Sequence, residues 1–109
     1  MDMVVKQYEV YWISLDPTQG SEIAKTRPCV VVSPDELNLS LRTVVIIPIT
    51  STIKKYPWRV DCVVQNKNGS IAADQIRVVD KTRLGSKIGY LFATEIKELK
   101  QVLQEMLVD

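Results

Sequence analysis

Two short runs rich in β-branched residues, at positions 29–33 and 43–49, constrain this chain more than any other feature. Each is nearly continuous in its apolar character and too short for a stable helix, the mark of a strand covered on both sides. Pro34, Asp35, Glu36, Leu37 and Asn38 between them read as a turn with room for one helical turn. Two buried strands therefore form the centre of a sheet.

The flanking segments extend it. Residues 4–15 are β-branched and aromatic, with Val10, Trp12 and Ser14 alternating against Tyr11, Ile13 and Leu15, and read as a first strand. Residues 58–65 alternate as a half-exposed strand, and Asn66, Lys67, Asn68 and Gly69 predict a hairpin turn into a further strand over 70–79. The body is expected to be a β-meander. From Thr94 the period changes to 3.6, with Ile96, Leu99, Val102 or Leu103, and Met106 on one face. Thr94 can cap this helix, and Glu95 lies in its first turn, where the helix dipole favours an acid. The expected fold is mainly β with a C-terminal helix: five or six short strands in one domain spanning 1–109, closing as a small barrel with the helix over one opening.

The chain contains no histidine, which excludes an imidazole base, a histidine-containing triad and histidine metal ligands. A net charge of +1 argues against coating nucleic acid by bulk electrostatics, while leaving a local phosphate-binding patch open. Cys29 and Cys62 lie in apolar runs without disulfide or metal-site spacing, and read as buried reduced thiols. Neither a secretory leader nor a membrane span is expected, so the protein is read as cytoplasmic.

Chemistry is expected in two polar loops. The first covers residues 16–27, a length at which loops tend to be functional, and ends at Lys25, Thr26, Arg27 and Pro28. Pro28 biases Arg27 toward an extended backbone that would aim its guanidinium consistently, although on spacing alone a surface arginine paired with Glu22 or Asp16 fits better. The second loop begins with Thr50, Ser51 and Thr52, whose hydroxyls join an arginine in binding a phosphodiester if the two strands are neighbours. Lys54, Lys55 and Arg59 interleave with Tyr56 and Trp58, a mixture suited to single-stranded nucleic acid and equally to a solvated edge. Asp74 and Gln75 fit structural tethering better than contact with a ligand. Arg77, Lys81, Arg83 and Lys87 fit ordinary solvation.

At residues 15–22 (Leu-Asp-Pro-Thr-Gln-Gly-Ser-Glu) and 25–33 (Lys-Thr-Arg-Pro-Cys-Val-Val-Val-Ser) the chain closely resembles the MazF/PemK toxin family. The likeness continues through 45–52, Tyr56 and Pro57, and Ala73, Asp74, Gln75, Ile76 and Arg77. The resemblance implies a small SH3-like β-barrel of the CcdB/PemK kind, a homodimer, a cognate antitoxin partner and no metal or other cofactor. The implied activity is sequence-specific cleavage of single-stranded RNA, including mRNA, to 2′,3′-cyclic phosphate and 5′-hydroxyl ends, which inhibits translation and growth. Arg27 and Thr50 match the family's catalytic pair. Glu22 matches its acidic loop position, with a role as acid/base or in orienting Arg27. Ser21, Lys25, Ser51, Lys54, Asp74 and Gln75 are the expected substrate-binding residues. Some relatives carry a histidine where Ser21 stands and an arginine where Ala73 stands, so an acid/base scheme built on those two does not transfer. A gyrase-binding toxin of the same fold that cuts nothing is the alternative. Its C-terminal tryptophan has no counterpart in Leu107, Val108 and Asp109.

Overall fold

The computed structural model describes residues 4–52 and 55–108. Its strands are β1 (Glu9–Ser14), β2 (Thr26–Val31), β3 (Thr43–Thr50), β4 (Arg59–Val64), β5 (Lys67–Ala72), β6 (Arg77–Asp80) and β7 (Leu84–Tyr90). The helices are α1 (Asp35–Ser40) and α2 (Ala93–Leu103), the latter continuing as a π turn over Gln104–Val108.

All seven strands join one antiparallel sheet in the order β4-β5-β3-β2-β1-β7, and this is not the expected meander. β3 is long enough to take two partners on one edge: β6 along Thr43 to Ile46, and β5 at Ile49 and Thr50. A turn of 3-10 helix at Ala73–Gln75 divides the single strand expected over 70–79 and lets both halves lie against β3. β7 was not anticipated, and it returns to the free edge of β1 with two register shifts. Such irregularities bend a strand and add twist, and the sheet curls into a half-barrel. Among the described residues no ladder joins β4 to β7.

Both faces of the sheet are buried, which is why the central runs are continuously apolar. Tyr11, Ile13, Leu15, Cys29, Val31, Val44, Ile46, Val79 and Leu84 pack on one face. Val10, Val30, Ile47, Ile49, Val60, Cys62 and Ile71 pack on the other, where Leu91 and Leu99 close over them. The α2 stripe of Ile96, Leu99, Val102, Leu103 and Met106 belongs to this second cluster, as its 3.6 period requires.

Local chemistry moves some boundaries. The first strand begins at Glu9 rather than residue 4, after Tyr8 takes a positive φ of 71°. The β4–β5 turn is made by the two residues Gln65 and Asn66, with φ of 50° and 62°, rather than by the four expected at 66–69; two successive positive φ values are the tight-hairpin geometry. Gly69 is instead a strand residue, and a Cβ there would meet Ile49 Cγ2 at 2.9 Å. Phe92, not Thr94, bounds α2. The buried Glu95 carboxylate accepts from Phe92 N at 2.8 Å and from Val63 N at 2.8 Å, so one acid caps the helix and ties it to β4.

Candidate active site

Arg27 is in β2 opposite Ile13, not in the loop before it, so the strand pairing fixes its backbone. β2 and β3 pair with Cys29 opposite Pro48. Two residues further, the same register sets Arg27 level with Thr50. The two expected strand-end groups are thus neighbours, and with Ser21, Glu22, Ser51, Thr52 and Arg59 they line one polar cleft of about 350 Å³. A larger hollow of about 470 Å³ along α2 is lined by Lys97, Lys100, Gln101 and Gln104 without any acid or hydroxyl. Size alone does not make it the chemical site.

Within the cleft Arg27 is half-buried and its Nε donates to Ala24 O at 3.3 Å, which holds the guanidinium near the loop. Thr50 Oγ1 donates to Thr52 O at 2.9 Å and accepts from Thr52 N at 3.0 Å, folding the second loop back on the strand end. Glu22 faces the cleft, but its Oε1 accepts from Gln19 N at 2.6 Å. The Glu22–Arg27 bond that the spacing left open is absent: the short turn places the nearest donor on Glu22's own loop.

The other expected site residues fall differently. Asp74 is committed to Arg59, with Nε to Oδ1 at 2.8 Å and Nη2 to Oδ2 at 3.3 Å. Gln75 Oε1 accepts from Ile23 N at 3.3 Å, tying the first loop to the β5–β6 connection. Lys25 takes φ of 69°, donates its N–H to Asp16 Oδ1 at 3.1 Å, and does not line the cleft. Lys54 lies outside the described residues.

Arg59 also lines the cleft, a place that its position in a run of cations does not reveal. Besides its bond to Asp74, its guanidinium lies 5.3 Å from the centroid of Tyr56. The later basic residues are not merely solvated. Arg77 donates to Leu15 O at 3.1 Å, Arg83 to the carbonyls of Ser14 and Asp16, and Lys81 to Asn38 O at the end of α1. Two arginines therefore pin the root of the first loop from the opposite side of its entry.

Residues 6–107 match the family described as PemK-like, MazF-like toxin of type II toxin-antitoxin system. The chain belongs to this family. Endoribonuclease MazF9 of Mycobacterium tuberculosis is 33% identical over 118 aligned positions, covering 93% of this chain and 94% of the relative. Endoribonuclease toxin MazF of Escherichia coli is 33% identical over 93 positions, covering 84% of each. Among solved structures, MazF of Deinococcus radiodurans superposes with a TM-score of 0.87 at 27% identity, covering 97% of this chain and 98% of that one. A MazE-MazF structure from the same organism gives 0.81 at 25% identity, covering 96% and 97%. The half-barrel with its C-terminal helix is thus the fold of the MazF toxins.

Proposed function

We propose that this MazF-like toxin and endoribonuclease cuts single-stranded RNA, mRNA included, at defined base sequences and leaves 2′,3′-cyclic phosphate and 5′-hydroxyl ends, thereby inhibiting translation and growth. The observation that carries the reading is that Arg27 and Thr50, at the ends of the paired strands β2 and β3, line one cleft rimmed by hydroxyls. The family and its endoribonuclease relatives support it.

In such a cleavage the ribose 2′-oxygen loses its proton and attacks the adjacent phosphorus, the bond to the 5′-oxygen breaks, and that oxygen takes up a proton. Negative charge gathers on the nonbridging oxygens. Arg27 supplies fixed positive charge there, with N–H donors in the fork geometry that suits a phosphate. Thr50 exchanges its bond to Thr52 O for one to the phosphate, and Ser21 and Ser51 offer further hydroxyls at the cleft wall. Arginine keeps its proton and threonine is a poor base, so Glu22 is assigned the 2′-proton. Its second carboxylate oxygen is left for this task while the first holds the loop turn.

No helix among the described residues is long and apolar enough to cross a membrane. We place the protein in the cytoplasm, where its substrate is, restrained by a cognate antitoxin as its family description implies. We also assign it a homodimer, the assembly that its resemblance to the MazF/PemK family implies.

The test is incubation of wild type and Arg27→Ala with a long single-stranded RNA in EDTA, with cut sites and end chemistry mapped. Discrete cuts with cyclic-phosphate ends, reduced on the order of a hundred- to a thousandfold in the variant, are expected for loss of one preorganised charge donor. RNA left intact by folded wild type would overturn the reading and bring gyrase binding forward.

A further inference from the structure

Behind the cleft lies a second hollow of about 210 Å³ that shares Arg27, Thr50 and Ser51 with it as a common rim. Its floor is the unroofed end of the α2-side core. Trp12 stands opposite Pro28 in the β1–β2 ladder, and Ile49, Val64, Gly69 and Ile88 continue the surface. α2 covers the rest of this face but not here, and Trp12 remains 39% exposed. Gln65 and Asn68 stand at the far wall, one in the β4–β5 turn and one just beyond it, both exposed. Lys67 lies between them.

Resting on the RNA-cleavage reading above, we propose that this hollow is a base-reading subsite: one nucleobase flanking the cut crosses the rim, stacks on Trp12 and is identified by the carboxamides of Gln65 and Asn68. Three observations favour a base over an apolar peptide side chain. The hollow is continuous with a phosphate-suited cleft, so a phosphodiester held at Arg27 leaves its neighbouring base at the rim. The volume is below the roughly 300–1,000 Å³ of sites for drug-sized ligands, which suits one flat ring system. Finally, each carboxamide presents both a donor and an acceptor, as the edge of an unpaired base does. Trp12 then contributes affinity without regard to base identity, because every base has a π face, while Gln65 and Asn68 set the preference at one position.

The experiment uses the full chain, a randomised single-stranded RNA pool, and a non-cleavable oligonucleotide carrying 2′-deoxyribose at the cut site. Trp12→Ala is expected to weaken oligonucleotide binding about ten- to a hundredfold with the cut-site preference unchanged, and Trp12→Phe to recover most of it. The double variant Gln65→Ala, Asn68→Ala is expected to keep cutting the pool while losing base preference at one flanking position. If wild type cuts the pool and these variants match it in affinity and preference, the subsite is overturned while the ribonuclease stands. If wild type binds the oligonucleotide through Trp12 but cuts nothing, the subsite stands and the cleavage reading falls. Should Trp12→Ala change the oligomeric state in sedimentation without changing oligonucleotide affinity, the hollow is a seam between subunits and the proposal is wrong.

Discussion

The Arg59 guanidinium meets both oxygens of the Asp74 carboxylate along one edge, Nε at 2.8 and Nη2 at 3.3 Å, so one cation of the cleft is held from the connection between β5 and β6. The arginine side chain is 12% exposed and the aspartate 34%, which puts the pair between a surface ion pair and a buried one. Asp74→Ala is expected to cost about 1–2 kcal/mol of stability, above the ~0–1 kcal/mol of exposed pairs and below the ~3–5 kcal/mol of buried ones. Urea unfolding gives that figure. RNA cleavage kinetics supply the second readout: KM should rise several-fold while kcat changes less, because Arg59 stays in the cleft but loses its fixed direction. A selective fall in kcat would instead make Asp74 part of the chemistry.

Glu22→Gln keeps the oxygen that accepts from Gln19 N, so the first loop should hold its turn. What it loses is the ability to take a proton. If Glu22 is the base, kcat/KM of the variant no longer falls on the acidic side of its pH profile, and its plateau lies about a hundredfold or more below wild type. A variant that keeps the wild-type acidic limb would show that another group takes the 2′-proton.

Glu95 satisfies two backbone donors at once, those of Phe92 and Val63. Glu95→Ala removes both acceptors at the junction of α2 and β4. A loss of about 2–3 kcal/mol is expected, from the roughly 1–3 kcal/mol cost of an unsatisfied buried group together with the lost cap. For a domain of this size that lowers Tm by about 10–20 °C. A calorimetric shift under about 3 °C would mean that water replaces the carboxylate without penalty.

Burial pushes the thiols of Cys29 and Cys62 up from 9.0 to about 12, opposed at Cys29 by the charge of Arg77 and reinforced at Cys62 by Glu95 and Asp61. Neither thiol ionises in the folded chain near neutral pH, so both should resist alkylating reagents until the protein unfolds. Between about pH 9 and pH 12 the unfolded chain sheds these protons and the folded chain keeps them. Their contribution to stability is therefore full below pH 9 and falls as pH rises through that window. Urea unfolding of wild type and a Cys29→Ala, Cys62→Ala variant at pH 8 and pH 10.5 checks the sign: the difference between them should shift against wild type at the higher pH.

What could be read ahead of the structure was what local pattern controls. The runs at 29–33 and 43–49 declare buried strands because β-branched residues crowd them, and Ile96, Leu99 and Met106 declare a helix face by spacing alone. β7 escaped notice because Gly85, Ser86, Lys87 and Gly89 carry almost no apolar signal. Its existence depends on the free edge of β1, where Lys87 lies opposite Tyr11. Arg27 and Thr50 were each visible as strand-end residues, but their adjacency is a property of the β2–β3 register. Arg59 was one cation among several until Asp74, fifteen residues on, singled it out. The jobs of Arg77 and Arg83 could not be seen at all, since their acceptors are main-chain carbonyls more than sixty residues earlier.

Those carbonyls belong to Ser14, Leu15 and Asp16, and Gln75 fastens the same loop again at Ile23. The stretch from Pro17 to Gly20 lies outside these anchors, while Ser21 and Glu22 belong to the cleft. Its sequence and length can change without disturbing the strands beneath, because the fastenings are made at backbone atoms of Ser14, Leu15, Asp16 and Ile23, on either side of it. The scaffold behaves as a handle with an exchangeable tip: segments grafted over Pro17–Gly20, with Ser21 and Glu22 kept in the cleft, change the tip's shape while the base preference set at Gln65 and Asn68 is retained.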